Sequence, residues 1–255
     1  MSKALKKLYI ALILIFLYAP IVVMIALSFN KGKSPAVWEG FSFKWYLELL
    51  EDRKIMEALK VTMSVAVIAT AVSTMLGTLA AIGIHAMKKG WANWVLNVSY
   101  LPMTMPDIVT GISLMLLFVQ LKIPTGFVTM LLAHIAFDTP YVLFSVLPKL
   151  SQMNPNTYEA ALDLGCRPMK AILKVIIPEI SPGIVTGALM AFTMSIDDFI
   201  ISYFTGGTVN NLSMAVYGSA KRGVSPSMYA LSAIMFVVIL VLLLIINRRS
   251  ALEER

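Results

Sequence analysis

From Leu8 to Asn30 the chain runs 23 residues without a charge, and five more apolar stretches follow it. Val61–Ile84 is uncharged and closed by Lys88 and Lys89; Gly223–Asn247 is uncharged over 25 residues and ends at Arg248-Arg249. Three others are interrupted only by acids and prolines. These are about 91–120 with Pro102, Pro106 and Asp107, about 125–148 with Asp138 and Pro140, and about 179–204 with Asp197 and Asp198. A bilayer's hydrocarbon core takes about 20 helical residues to cross. Lipid offers the backbone no hydrogen-bond partner, so each such run is helical. The expected fold is therefore all-α, a polytopic integral membrane protein. Its six transmembrane helices fall at about 8–30, 61–86, 91–120, 125–148, 179–204 and 226–247, all in one domain over residues 1–255.

Composition excludes the other classes. Hydrophobic residues make up 58% of the 255, charged residues 14%, and mean hydropathy is +0.81. Soluble domains run at roughly 25% charged, so a cytosolic enzyme, a disulfide scaffold and a disordered chain are ruled out. The lone Cys166 forms no intrachain disulfide. The net charge of +7 is spread between the apolar runs, which reads as membrane orientation and not nucleic-acid binding. With the N-terminus inside, 12 of the 21 Lys and Arg fall on the cytoplasmic side. Five of the other nine lie in the 31–57 segment beside five acids, so the bases that flank the spans favour both termini in the cytoplasm. The aromatic-rich outer segment, with Trp38, Phe41, Phe43, Trp45 and Tyr46, reads either as an interfacial belt or as a docking piece.

A polar stretch, 149–178, separates the fourth and fifth spans. Within it Asn154 suits an N-cap, Pro155 a first helical position and Gly165 the residue past a helix end. Tyr158, Ala161, Leu162 and Gly165 share one face; Glu159 and Asp163 lie a turn apart on another. The small Ala160 and Ala161 would let another surface approach closely. A second short helix is expected from Pro168 to Pro178. On these residues alone the segment is either a rigid helix offered to a partner or a solvated linker.

The pattern Glu159-Ala160-Ala161, Gly165, then Val175-Ile176-Ile177-Pro178 resembles the EAA loop of ABC importer permeases. Val175 and Ile177 stand where that pattern has Ile and Leu. The resemblance implies a cytoplasmic coupling helix that docks on a separate ATPase subunit through Glu159, Ala160, Ala161, Gly165 and Pro178. It also implies a non-catalytic subunit with no cofactor of its own, ATP and Mg being bound by the partner. Gly32-Lys33-Ser34 is no phosphate loop, because Leu27 stands where that loop needs Gly.

Four carboxylates, Asp107, Asp138, Asp197 and Asp198, lie within the apolar spans, with no Lys or Arg at comparable depth. Each costs about 2.5–3.5 kcal/mol on insertion scales. Such groups either take up protons or meet a cation that comes and goes. Each also has a structural alternative. Asp107 after Pro106 suits a cap on a restarted helix, and Asp138 suits a donor freed by Pro140. One of the adjacent Asp197 and Asp198 is expected to face a pathway while the other caps or pairs. His85 and His134 lack metal-ligand company and read as packing or interfacial residues, as do the scattered methionines.

Met105–Leu114, Ala191–Phe199, Glu159–Gly165 and Gly223–Pro226 are similar to segments of spermidine/putrescine permeases of the PotC type, and the similarity covers essentially the whole chain. It implies import of polyamines across a bacterial cytoplasmic membrane by alternating access. The implied partners are a homologous second permease, two ATP-binding subunits and an extracytoplasmic polyamine receptor, which the loop Thr205–Met228 would contact. Polyamines carry several ammonium groups, and spaced carboxylates suit them. The same architecture carrying a phosphonate would want basic pathway residues, which are absent; thiamine is a further cargo. A proton-coupled carrier leaves the 159–178 pattern unexplained, and an intramembrane protease lacks a Gly-x-Gly-Asp partner segment.

Overall fold

The computed structural model describes the backbone of residues 3–222 and 225–253, and side chains over 5–221 and 225–241. Gly223, Val224, Arg255 and the side chains of Lys3, Arg222, Arg248 and Arg249, which the sequence assigns to a receptor-facing loop or to the orienting charges, lie outside the described residues. In chain order the helices are α1 (Lys3–Ser28), α2 (Lys44–Glu51), α3 (Arg53–Ala86), α4 (Lys89–Thr104), α5 (Asp107–Gln120), α6 (Phe127–Gln152) and α7 (Asn156–Asp163). Then come α8 (Pro168–Ala171), a π turn (Ile172–Ile176), α9 (Ile177–Glu179), α10 (Ser181–Asp197), α11 (Ile200–Thr205), α12 (Leu212–Arg222) and α13 (Pro226–Glu253). Extended pairing among the described residues is limited to one isolated bridge, Asn30 with Phe41.

Helices α1, α3 and α6 are long and apolar enough to cross a bilayer. Two of the expected spans are broken. The 91–120 stretch is α4 and α5, set at 105° to each other. Pro106 explains the break, since its ring drives the preceding residue out of the helical region, and Met105 is extended at φ −79°, ψ 144°. The run that enters the 179–204 stretch bends by 72° between Glu179 and Ser181. That stretch breaks again at Asp198, which is extended at φ −63°, ψ 124°. Helix α3 begins eight residues before the expected 61, because Arg53, Lys54, Glu57 and Lys60 continue it as a polar helical extension.

The chain divides into two compact units, Met1–Glu57 with Ala215–Arg255, and Ala58–Met214. In the first, α13 packs against both α1 and α2. The outer segment is organised by the buried Asn30. Its Nδ2 donates to Ser34 O and Val37 O, and its Oδ1 accepts from Gly32 N and Glu39 N. Trp45 is buried and donates its Nε1–H to Asn30 O at 2.6 Å. Phe29 stacks on Phe41, and Phe43 meets both edge-on. Leu47 and Leu50 of α2 remain 64% exposed while Trp45 and Leu49 turn inward, an arrangement suited to a membrane interface.

The second unit is built around α6. Helix α3 and helix α10 both close on Val142, where small residues admit them. A Cβ on Gly77 would stand 2.6 Å from the Val142 Cβ, and one on Gly187 3.0 Å from the Val142 Cα. Hydrophobicity drives no helix association in lipid, so such small-residue contacts supply the packing instead. Around them lies a core of Ala81, Ile84, Leu143, Val146, Leu150, Ile176, Ile180 and Ala191.

Candidate functional site

The polar segment after α6 folds as the residues dictate. Asn154 Oδ1 accepts from Asn156 N at 3.0 Å, and Pro155 already has helical angles, φ −58° and ψ −27°. At the other end Gly165 takes φ +81°. Its N–H bonds to Leu162 O at 2.8 Å, and the Cys166 N–H to Ala161 O at 3.1 Å. That pair of bonds is a Schellman cap, which needs a left-handed residue and so favours glycine. Tyr158 packs onto the core formed by Leu150, Ile176 and Ile180, and Ala161 is buried. Glu159, Ala160, Asp163 and Leu164 stand on the exposed face. Of the two alanines, then, only Ala160 is presented outward; the small size of Ala161 lets α7 lie close on its own protein. Gly165 and Pro178 are exposed. The return helix expected over Pro168–Pro178 is present as α8, the π turn and α9, reaching Glu179. An open groove under α7 is lined by Leu164, Gly165, Cys166, Arg167 and Lys170.

The four membrane carboxylates fall into three different situations. Asp107 is the first residue of α5 and exposed, and that helix has no side-chain cap. Asp197 ends α10 and is exposed as well. Asp138 lies in the middle of α6, fully buried, and neither of its oxygens has a hydrogen-bond partner among the described residues. It therefore does not satisfy a donor freed at Pro140, the structural role that the sequence suggested. Asp198 is fully engaged. Its Oδ1 accepts from Ile201 N at 3.1 Å, and its Oδ2 from Ser202 N at 2.7 Å and Ser202 Oγ at 2.8 Å. It caps α11, the part expected of one member of the Asp197-Asp198 pair, and Asp197 is left exposed.

His134, which the sequence suggested was a packing or interfacial residue, sits at the centre of a buried polar network. Its Nδ1 lies 2.7 Å from Ser195 Oγ on α10, and its Nε2 lies 2.9 Å from Ser202 Oγ on α11 and 3.4 Å from Asp198 Oδ2. Asn211 Nδ2 donates to Ser202 Oγ and to Asp198 O. Proton accounting assigns the roles. Ser202 spends its single hydroxyl proton on Asp198, so toward Asn211 and His134 it accepts. His134 Nε2 is then the donor toward Ser202, while Nδ1 shares a hydrogen bond with the Ser195 hydroxyl. The signal in the sequence was Ser195, Asp198 and Ser202 spaced three and four residues apart. Nothing local pointed to a histidine more than 60 residues earlier.

Three comparisons place this architecture. Residues 73–251 match the family model described as "Binding-protein-dependent transport system inner membrane component". The chain is 37% identical over 232 residues to the putrescine transport system permease protein PotI of Escherichia coli K12, covering 86% of this chain and 81% of that one. It is 33% identical over 242 residues to the spermidine/putrescine transport system permease protein PotC of Haemophilus influenzae, covering 94% of each. In fold it is similar to a chain of a bacterial ABC transporter involved in the import of alginate, with a TM-score of 0.72 at 18% identity over 97% of this chain and 94% of that one. With the long apolar helices, the broken spans and the capped hairpin between α6 and α10, these matches identify the chain as a member of the inner membrane components of binding-protein-dependent transport systems, a non-enzymatic transport subunit of a bacterial inner membrane.

Proposed function

We propose that this permease imports polyamines, putrescine or spermidine, as half of a heterodimeric pore. The observation that carries the cargo is the sign of the membrane charges. Asp107, Asp138 and Asp197 have no ion-pair partner among the described residues, and the spans hold no Lys or Arg beside them. A cargo with several ammonium groups supplies what those carboxylates lack. The names of the relatives at 33–37% identity support the same class. Asp107 and Asp197 take the cargo as it passes; Asp138 contributes from the buried face of α6; Asp198 acts through the helix cap.

Helix α7 is the coupling helix. Glu159 and Ala160 form the face offered to a separate ATPase subunit. Gly165 sets the helix end, Tyr158 and the buried Ala161 seat α7 on its own protein, and Pro178 stands in the return helix. Two such ATP-binding subunits, holding ATP and Mg, drive alternating access through their differential affinity for the two states. A homologous second permease completes the pore, and an extracytoplasmic receptor delivers the polyamine near Thr205–Met228. Both termini are cytoplasmic. Residues 1–255 together make up the transmembrane subunit of this assembly.

Labelled putrescine and spermidine uptake tests the cargo, in cells lacking their own importers and supplied with the partner subunits. Uptake that requires this chain and ATP supports the reading. Absent uptake, with the complex assembled, discards the polyamine and keeps the permease.

A further inference from the structure

We infer that His134 is a positioning residue that staples the two sides of the α10–α11 break and thereby sets where Asp197 points. The inference rests on the reading of Asp197 as a carboxylate that meets a cationic cargo. Three observations carry it. First, the imidazole bonds to Ser195, which precedes the break, and to Ser202, which follows it. Second, the ring and the groups that tie it to both helices are buried: His134 is 1% exposed, Ser195 2%, Ser202 0% and Asn211 2%, with Asp198 half-buried beside them. Third, Asp197 sits between the two attachment points, at the last residue of α10, with an exposed side chain.

The mechanics follow from the range of each contact. Asp198 caps α11 from within the same turn, so it fixes the start of α11 but not its angle to α10. Pro and Gly are absent from residues 195–202; the Asp198 N–H still bonds Met194 O and Ser213 Oγ reaches Ile196 O and Asp197 O, contacts that hold the end of α10 but do not reach α11. An attachment to both helices from a third element is what removes that freedom. Helix α6 provides it through one ring with two opposed nitrogens. A second tie reaches the far end of α11, where Thr129 Oγ1 of α6 donates to Thr205 O at 2.8 Å. Beyond α11, Asn211 bonds back to the break, and Thr62 Oγ1 of α3 accepts from Leu212 N at 2.7 Å. The histidine thus has a role that an apolar residue of the same volume could not fill. Leucine would pack but remove the Ser195 hydroxyl's bond to the ring and cut the link from Ser195 to Ser202, which would keep only Asp198 and Asn211.

The test uses the assembled transporter with its partner subunits. His134→Leu should raise the KM for putrescine uptake by about tenfold while the maximal rate stays within about twofold, the pattern of lost cargo positioning with intact chemistry elsewhere. His134→Gln keeps a donor toward Ser202 and should recover most of the loss. Ser195→Ala removes one arm without disturbing packing and should raise KM by roughly threefold, the scale of one neutral hydrogen bond. It serves as the decisive variant if His134→Leu does not assemble. A second readout is independent of cargo. In a Cys166→Ser background, Asp197→Cys should react with a membrane-impermeant cationic thiol reagent, and adding Ser195→Ala or His134→Leu should change that rate at least about threefold, again the scale of one hydrogen bond. Changed labelling in a transporter that moves no polyamine would keep the staple and discard the cargo. Unchanged labelling, or an assembled variant whose KM matches the parent, would overturn the staple. So would a fall in maximal rate alone that His134→Gln does not restore.

Discussion

The α7 hairpin and the α10–α11 break are both short polar interruptions in an apolar chain, yet their contacts differ in range. The hairpin is made by neighbours: Asn154 caps Asn156, and Gly165 closes onto Leu162 two turns later. The break is made by strangers. His134 reaches Ser195 and Ser202 across 61 and 68 residues. The hairpin presents Glu159 and Asp163 outward, and Leu164 is 89% exposed at its end. The break hides most of its polar groups and leaves out one carboxylate, Asp197. A surface meant for another protein needs a rigid edge, which local caps supply. On the proposed function, Asp197 needs a fixed direction to meet a passing cation, which the buried network beside it supplies.

The largest effect expected removes both regions together. Gly187→Leu would drive a side chain into the Val142 backbone and separate α10 from α6, and overpacking of this kind costs about 1–3 kcal/mol or more. The complex should fail to assemble, as read by copurification of the ATPase subunit; an assembled, active variant would show that the α6–α10 contact does not support both sites. Next, Glu159→Trp should abolish uptake while the spans still assemble, because only the exposed face of α7 changes. If assembly is lost instead, the hairpin is a folding element and the contrast with the break dissolves. Asp197→Asn ranks third: uptake should drop by about tenfold, the loss of one charged interaction, while basal ATP hydrolysis persists. Unchanged uptake would take Asp197 out of the cargo's path. Smallest is Gly165→Ala, which forces an alanine to φ +81° at a cost of about 1 kcal/mol. The thermal midpoint should fall by a few degrees and Gly165→Asn should fall less; equal tolerance of valine there would show that the Schellman cap is dispensable.

Legibility followed the same division. The spans at 61–86 and 125–148 were readable because an apolar run of that length demands a helix in lipid; α3 contains the first, and α6 starts two residues inside the second and runs four past it. The ends of the hairpin were readable, down to the left-handed glycine, but not that Ala161 would turn inward or that a π turn would interrupt the return helix. At 91–120 the prolines were visible but not the angle they would produce, because Pro106 removes helical geometry from Met105 without choosing a new direction. The roles of the acids divided likewise. That one of Asp197 and Asp198 would cap and the other stay open follows from adjacency on a helix; which one does which follows from where Ser202 and His134 lie in space. His134 looked solitary because its partners are on other helices.

Sequence alone therefore determined that this chain spans a membrane as helices, that a capped helix interrupts the spans near residue 160, and that its buried charges are acidic. Hydropathy, capping chemistry and net charge act within a few residues and need no fold to operate. Only the tertiary structure decided that α4 and α5 meet at 105°, that Asp138 is sealed in while Asp197 is not, and that one histidine joins both sides of a broken helix. Those outcomes depend on which surfaces meet when helices pack, and small residues such as Gly77 and Gly187, silent in any local pattern, set how closely they do.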